Sequence, residues 1–239
     1  MALSWYQVRP YAGRHTASVL ILLFFFKLPA MYQPAHFRLQ DDAQIRHLIA
    51  TQPLAAVIGP DAAGQAFVSH LPLTLLEEEG KPLVLEGHMA RANPHWAWLE
   101  AQAANQTEVL AVFSGPSAYI SPQHYEHERN VPTWNYVAVH AYGRLDLVDE
   151  ASAKDALLKR LIGQHEPGYA AQWRGLPEDY QSKLLAAIVG FRLRLTRLEA
   201  KAKLSQNRSA LERQRIQAGL SQGSAAEQAV AQWMQRLGL

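Results

Sequence analysis

The chain contains no cysteine among its 239 residues. This absence excludes a disulfide-stapled fold, a thiolate nucleophile and any cysteine-ligated zinc or iron–sulfur centre. It is typical of a reducing compartment, and we expect a cytoplasmic protein. Charged residues are also scarce, at 18%, whereas hydrophobic residues make up 49%. That balance excludes a disordered chain and predicts a domain with a substantial core.

The apolar run Val19 to Phe26 is too short to cross a membrane. It has eight residues and is followed by Lys27 and Pro29, whereas a membrane helix needs about 20 apolar residues. We therefore expect no membrane partner. Residues 1–30 carry three basic residues and no acid, which loosely resembles a secretory signal; the alternative is a true translation start at Met31. Either way, we predict that residues 1–30 lie outside the fold and that residues 31–239 form one domain.

Positive charge is concentrated near the end of the chain. The formal net charge is only +2, yet residues 190–215 hold eight basic and two acidic side chains. Such a segment predicts an anion-facing surface.

The spacing of apolar residues predicts an α+β fold built around a small antiparallel barrel. Acidic residues at 41–42 precede a helical stripe, and a turn cluster at 59–64 separates two apolar runs, as in a hairpin. Ser209 to Glu212 and Ser224 to Glu227 match the capping box and predict two tail helices. The remaining expected strands cover residues 83–85, 109–113, 133–148 and 191–195. One further helix is expected to begin at Asn93-Pro94, and two more are expected over residues 150–165 and 177–187.

Residues 87–94, Gly-His-Met-Ala-Arg-Ala-Asn-Pro, are the most informative stretch. A strand followed by a capped helix start presents free backbone N–H groups, and Arg91 could bind phosphate oxygens through its planar guanidinium. The alternative is a structural loop in which His88 bonds to backbone and Arg91 is solvated. Residues 201–208 combine Lys201, Lys203 and Arg208 with polar side chains, so they predict either a second anion-binding segment or a solvated connector.

Other motifs give little support for other chemistry. His124, Glu126 and His127 lie close together but have no third ligand at a recognisable spacing, so we predict no metal site. P-loop, Gly-x-Ser-x-Gly and Gly-x-Gly-x-x-Gly patterns are absent from the sequence. The two tail helices could form a helix-turn-helix, but a recognition helix at 224–237 would carry Arg236 as its one basic residue. Dimerisation or coverage of the barrel is the favoured interpretation.

Seven motifs, in order along residues 31–237, resemble the PaiB family. The motifs are residues 31–37, 69–72, 87–94, 115–122, 131–140, 188–191 and 203–209. The resemblance implies a bacterial FMN-binding split β-barrel, of the pyridoxamine-phosphate oxidase and flavin-reductase type, with peripheral and C-terminal helices. It also implies a homodimer with FMN at the subunit interface and a role as a negative transcriptional regulator.

The resemblance also assigns a cofactor site residue by residue. Ser69 and His70 would flank the flavin ring, His88, Arg91 and Asn93 would hold the phosphate, and the Lys203 to Arg208 motif would close the site. Trp134 and Asn135 would lie near the site, and in split barrels of this type the partner subunit often completes the pocket. The full predicted FMN-binding set is Ser69, His70, His88, Met89, Ala90, Arg91, Asn93, Trp134, Lys203, Ser205, Gln206 and Asn207.

Two classes of function fit these residues. The first is a flavin-dependent regulator or sensor whose partner is DNA or a regulatory protein. The second is a flavin-dependent oxidoreductase acting on a small substrate, in which the cofactor carries the chemistry. No acid–base pair stands out in the sequence, which favours the regulator and leaves no catalytic residue to name.

Overall fold

The computed structural model describes residues 31–105 and 107–239. In these ranges the chain forms a mixed α+β domain around one antiparallel seven-stranded sheet with strand order β2-β1-β5-β6-β7-β4-β3. The strands are β1 (Leu54–Pro60), β2 (Ala66–Pro72), β3 (Thr74–Leu76), β4 (Val84–Ala90), β5 (Val109–Ile120), β6 (Thr133–Val148) and β7 (Ile188–Lys203). Strand β2 also contacts β4, so the sheet curls into a split barrel, as predicted.

Seven α-helices flank this sheet in the described part of the chain. They are α1 (Asp42–Thr51), α2 (His95–Ala104), α3 (Ala151–His165), α4 (Tyr169–Gly175), α5 (Glu178–Ala186), α6 (Ala210–Ser221) and α7 (Ala225–Arg236). Short 3₁₀ turns cover Ala35–Phe37 and Pro122–His124. Among the described residues, no helix is both long and apolar enough to span a bilayer.

Local signals account for the helix starts and the first hairpin. The Asp41 carboxylate accepts hydrogen bonds from the backbone N–H groups of Ala43 and Gln44, which begins α1. The Asp61 carboxylate accepts from Ala63 and Gln65, which closes the β1–β2 turn. These short-range contacts form the predicted helix and hairpin.

Of the two predicted capping boxes, one forms completely. Ser224 and Glu227 exchange both capping hydrogen bonds at the start of α7. At α6, the Ser209 hydroxyl accepts from the Glu212 N–H, but the Glu212 carboxylate accepts instead from the backbone N–H of Glu126. The second box is therefore half-formed, because a tertiary contact takes the glutamate.

The structure corrects several strand lengths and adds two elements. Strand β4 continues through Ala90, where the sequence predicted a loop after residue 87, and β7 includes Lys201 and Lys203, which were expected to follow the last strand. Strand β3 and helix α4 were not predicted. In α2, His95 and Leu99 are buried, whereas Trp96 is half-buried.

The tail helices complete the core. Val230, Trp233 and Met234 of α7 and Ile216 of α6 belong to the same buried cluster as the inward faces of the strands. Helix α7 packs against β5. The tail therefore covers the barrel, which is one of the two roles predicted for it.

Candidate functional site

The predicted phosphate segment begins at the end of β4, where successive side chains point to opposite faces of the sheet. Met89 is 2% exposed and belongs to the core. His88 points the other way, and its Nδ1 is buried without a hydrogen-bond partner. Burial lowers the pKa of His88 from its ordinary value of 6.5. Ala90 ends the strand and is exposed. Because its pKa is lowered and its Nδ1 has no partner, His88 offers a neutral imidazole with an unsatisfied polar atom.

Arg91 is anchored where three elements meet. Its Nε donates to the carbonyl of Ala186 (3.1 Å) and its Nη2 to the carbonyl of Ile188 (3.3 Å) and to the Asp149 carboxylate. Lys154 Nζ donates to the same carboxylate at 3.0 Å. The hydrogen bond from Lys154, with that from Arg91, lowers the pKa of Asp149. The guanidinium is thus held in one position, with its Nη1 outside these bonds.

A buried network links Ser69 of β2 to the start of α2. The Ser69 hydroxyl lies 2.8 Å from Nδ1 of His95 and accepts from the Asn93 amide at 2.9 Å. The side-chain oxygen of Asn93 accepts from the His95 N–H at 3.0 Å, but the N-cap position of α2 is Pro94, one residue later than predicted. A Cβ at Gly59 would lie 2.6 Å from Leu99 and 3.2 Å from His95 Nε2, so a glycine is needed where β1 passes this network.

His70 and Ser69 point to opposite faces of β2. Ser69 is buried, whereas His70 is exposed. The strand register places His70 in one row with Ala56, Val112 and His140 on the outward face of β2, β1, β5 and β6. We call this surface the outer face. It also carries Val68, which is 45% exposed.

The second predicted segment surrounds the end of β7. Lys203 Nζ donates to the Trp134 carbonyl at 2.7 Å and to the Thr133 hydroxyl. Burial, with the nearby charge of Lys201, lowers the pKa of Lys203. The Trp134 ring is 55% exposed and stands edge-on to Tyr119. This end of β7 therefore presents a fixed ammonium beside an exposed aromatic ring.

The turn after Lys203 is held by side-chain hydrogen bonds. Ser205 adopts φ 66°, an unusual conformation for a non-glycine residue, and exchanges hydrogen bonds of 3.0 and 3.1 Å with the fully buried Asn135. Gln206 accepts from the Leu204 N–H and donates to the Ala202 carbonyl. Asn207 is exposed. A cavity of about 140 Å³ opens here, lined by Thr133, Asn135, Lys203, Ser205, Asn207 and Arg208, with Val131 and Pro132.

The strand register separates these two groups within one chain. His88 pairs with Gly190 at the start of β7, whereas Lys203 lies thirteen residues further along the same strand. A straight strand of that length spans about 40 Å. We call residues 69 and 88–93 the first half-site, and residues 134–135 and 203–207 the second half-site. Within one chain the predicted residues therefore lie at two separate places, and His70, exposed on the outer face, belongs to neither half-site.

The residues of both half-sites fit parts of a flavin nucleotide. The first half-site has the orphaned Nδ1 of His88, the anchored Arg91 and a helix start, which suit a phosphate. The second half-site has an ammonium, amides and an exposed indole. Its cavity is smaller than the 300–1,000 Å³ or so of ordinary small-molecule pockets, so it could hold only part of such a ligand.

The sequence interpretation missed two residues at the first half-site. Asp149 holds Arg91, and nothing local marks it because its partner is 58 positions away. His95 is buried against Ser69. Its position four residues before Leu99, next to the predicted cap at Asn93, could have indicated an inward-facing side chain.

Histidine burial predicts lower stability at mildly acidic pH. Burial lowers the pKa of His88, His95 and His140 from 6.5, and Arg197 adds to the effect at His140. Below pH 6.5 the unfolded chain therefore binds protons that the native chain does not, and stability falls as pH decreases. Urea unfolding should give a smaller free energy of unfolding at pH 5.5 than at pH 7.5, with each of these histidines contributing at most about 1.4 kcal/mol to the difference. His95→Gln should reduce the difference; equal stability at both pH values would contradict the prediction.

Comparison with known proteins identifies the class of protein to which this chain belongs. A family described as "Putative FMN-binding domain" matches residues 31–197. Protease synthase and sporulation protein PAI 2 of Bacillus subtilis is 33% identical over 181 residues, which cover 75% of this chain and 84% of that protein. Among solved structures, the flavocytochrome Anf3 of Azotobacter vinelandii has a TM-score of 0.52 at 18% identity and covers 70% of this chain and 69% of its own. The FAD and heme binding protein of Mycobacterium smegmatis has a TM-score of 0.51 at 20% identity, with 76% and 80% coverage.

The fold and the family match thus define a split-barrel flavoprotein whose cofactor is FMN. The chain belongs to the FMN-binding PaiB family, as the sequence motifs predicted.

Proposed function

We propose that this protein is a homodimer that binds FMN between its subunits and acts as a flavin-dependent regulator or sensor. The observation that carries the proposal is the position of the two half-sites at opposite ends of β7. In a two-fold dimer each surface meets its own copy, so the first half-site of one subunit can meet the second half-site of the other. Two equivalent flavin sites would result.

The outer face is the surface that we assign to the subunit contact. Val68 and Leu54 are 45% and 61% exposed there, and Ala56 and Val112 lie between His70 and His140. An exposed apolar sheet face is unfavourable for a monomer and suits an interface. A second copy would cover this face and exclude water from the flavin.

Two features favour regulation over catalysis. The first half-site shows no paired acid and base: the Nδ1 of His88 has no hydrogen-bond partner, and Arg91 is paired with Asp149. The Bacillus relative is named for protease synthesis and sporulation. Because α7 buries its apolar face in the barrel, we place the contact with DNA or a regulatory protein outside the tail.

Binding and turnover assays on the same preparation test this function. The FMN-loaded protein should bind a promoter fragment or partner protein differently from the FMN-free protein, and it should oxidise NAD(P)H slowly. The assays should be run at physiological salt, because non-specific DNA binding depends strongly on ionic strength. Fast NAD(P)H oxidation without any FMN-dependent association would overturn the regulator and favour the flavin-dependent oxidoreductase.

We also propose that residues 31–239 are the working cytoplasmic domain. The backbone N–H of Met31 donates to the buried Glu199 carboxylate at 2.8 Å, and Lys201 Nζ donates to the Tyr32 carbonyl. These bonds attach the start of this range to β7. A protein beginning at Met31 should match the full chain in thermal stability and FMN affinity. A monomeric or unfolded short form, or mature protein beginning after Ala30 in an exported fraction, would contradict this proposal.

A further inference from the structure

A second cavity, which no residue of either half-site lines, lies beside the β3–β4 hairpin. Its volume is about 500 Å³, within the range of small-molecule pockets. Leu75, Leu76 and Pro82 form its apolar wall, and Arg160 of α3 lines it together with Arg192 and Arg194 of β7. We call it the Arg160 cavity.

A buried carboxylate beside the cavity holds two of these arginines. The Glu86 side chain is 1% exposed and accepts from Arg160 Nε and Nη2, both at 2.7 Å, and from Arg192 Nε at 3.0 Å. The Nη1 of Arg160 and both Nη groups of Arg192 remain outside these bonds. Two guanidiniums share one carboxylate, which leaves one excess positive charge on donors that are already oriented.

The other charged groups near the cavity balance one another. Arg194 pairs with Asp146 at 2.9 Å, Arg46 pairs with Glu77 at 2.7 Å, and Lys81 pairs with Glu78. The excess charge is therefore centred on Arg160 and Arg192. Burial of the Glu86 carboxylate costs desolvation that an apolar side chain would avoid, whereas the two arginines that it holds are 38% and 43% exposed and can reach a ligand.

We propose that the Arg160 cavity binds a small organic anion, with its anionic group on Arg160 and Arg192 and its apolar body against Leu75, Leu76 and Pro82. A carboxylate or a phosphate monoester satisfies this chemistry, because both accept the paired N–H donors of a guanidinium. The inference does not rest on the proposed regulatory function. It gives the domain a ligand site separate from the flavin.

Calorimetric titration of the FMN-saturated full chain tests the site, because saturation occupies the flavin phosphate position. The probes are phenyl phosphate, phenylacetate and the neutral analogue benzyl alcohol. At least one anion should bind with a dissociation constant near or below about 1 mM, and benzyl alcohol should bind much more weakly. The tighter of the two anions identifies the anionic group. No anion binding, or equal binding of benzyl alcohol, would overturn the proposal.

Arg192→Gln is the informative variant, since Glu86 keeps its two hydrogen bonds from Arg160 and the fold should survive. It should weaken anion binding by about tenfold, the loss expected for one charge-assisted hydrogen bond. Lys183→Gln is the matched control: it removes one positive charge from the exposed Lys183–Asp179 pair on α5, outside the cavity. Anion affinity unchanged in Arg192→Gln, or equally reduced in Lys183→Gln, would refute the site.

Discussion

Trp233→Ala is expected to lower the free energy of unfolding by about 3–5 kcal/mol, the usual cost of deleting a buried tryptophan side chain. Trp233 is 6% exposed, belongs to the main core cluster and contacts the ring of His47 on α1. The deletion should therefore loosen α7 from the barrel and from α1. Urea unfolding followed by circular dichroism measures the change.

The matched control for this prediction is the neighbouring Gln232→Ala. Gln232 is exposed on the other side of α7, and surface substitutions usually change stability by less than about 0.5 kcal/mol. A small effect of Trp233→Ala would contradict the barrel-covering role of α7. The alternative interpretation, in which α7 acts as a recognition helix, would then be favoured.

Arg91→Ala is expected to weaken FMN binding by about ten- to a hundredfold, because a charge-assisted contact to phosphate contributes about 1.5–3 kcal/mol. Flavin fluorescence titration measures the affinity. The fold should survive, since the Arg91–Asp149 pair is 37% and 55% exposed and such pairs contribute little to stability.

Two companion variants separate charge from orientation at Arg91. Arg91→Lys keeps the charge but loses the planar donors, so its FMN affinity should fall between wild type and Arg91→Ala. Asp149→Asn keeps Arg91 but weakens its anchor, and should also reduce affinity. Wild-type FMN affinity in Arg91→Ala would remove this residue from the site.

The sequence was informative wherever a short-range signal determines the structure. The Asp41 and Asp61 side chains form their bonds within four residues, and the Asn93 side chain accepts from the N–H two positions later. Strand β6 covers Thr133–Val148, the predicted range, and buried residues alternate with half-buried ones from Asn135 to Ala141. Such elements need no knowledge of the rest of the chain.

Long-range pairing determined what the sequence could not show. Strand β7 extends to Lys203 because its second half pairs with β6 as far as Tyr136; the alternating apolar pattern alone ends near Leu195. The Glu212 carboxylate accepts from the backbone N–H of Glu126, 86 positions away, instead of completing its capping box. The division of the predicted FMN residues into two half-sites follows from the register of β4, β6 and β7, and register is a property of the assembled sheet.

The central claim is that each flavin site combines the first half-site of one subunit with the second half-site of another, and complementation tests it most directly. Arg91→Ala and Lys203→Ala chains, purified separately, should each bind FMN weakly. Co-expressed in equal amounts, they should form mixed dimers with one unaltered site and one doubly altered site. About one quarter of all sites should then regain wild-type FMN affinity, if the chains pair at random. A mixture that binds FMN no more tightly than the two variants alone would show that each site lies within one chain.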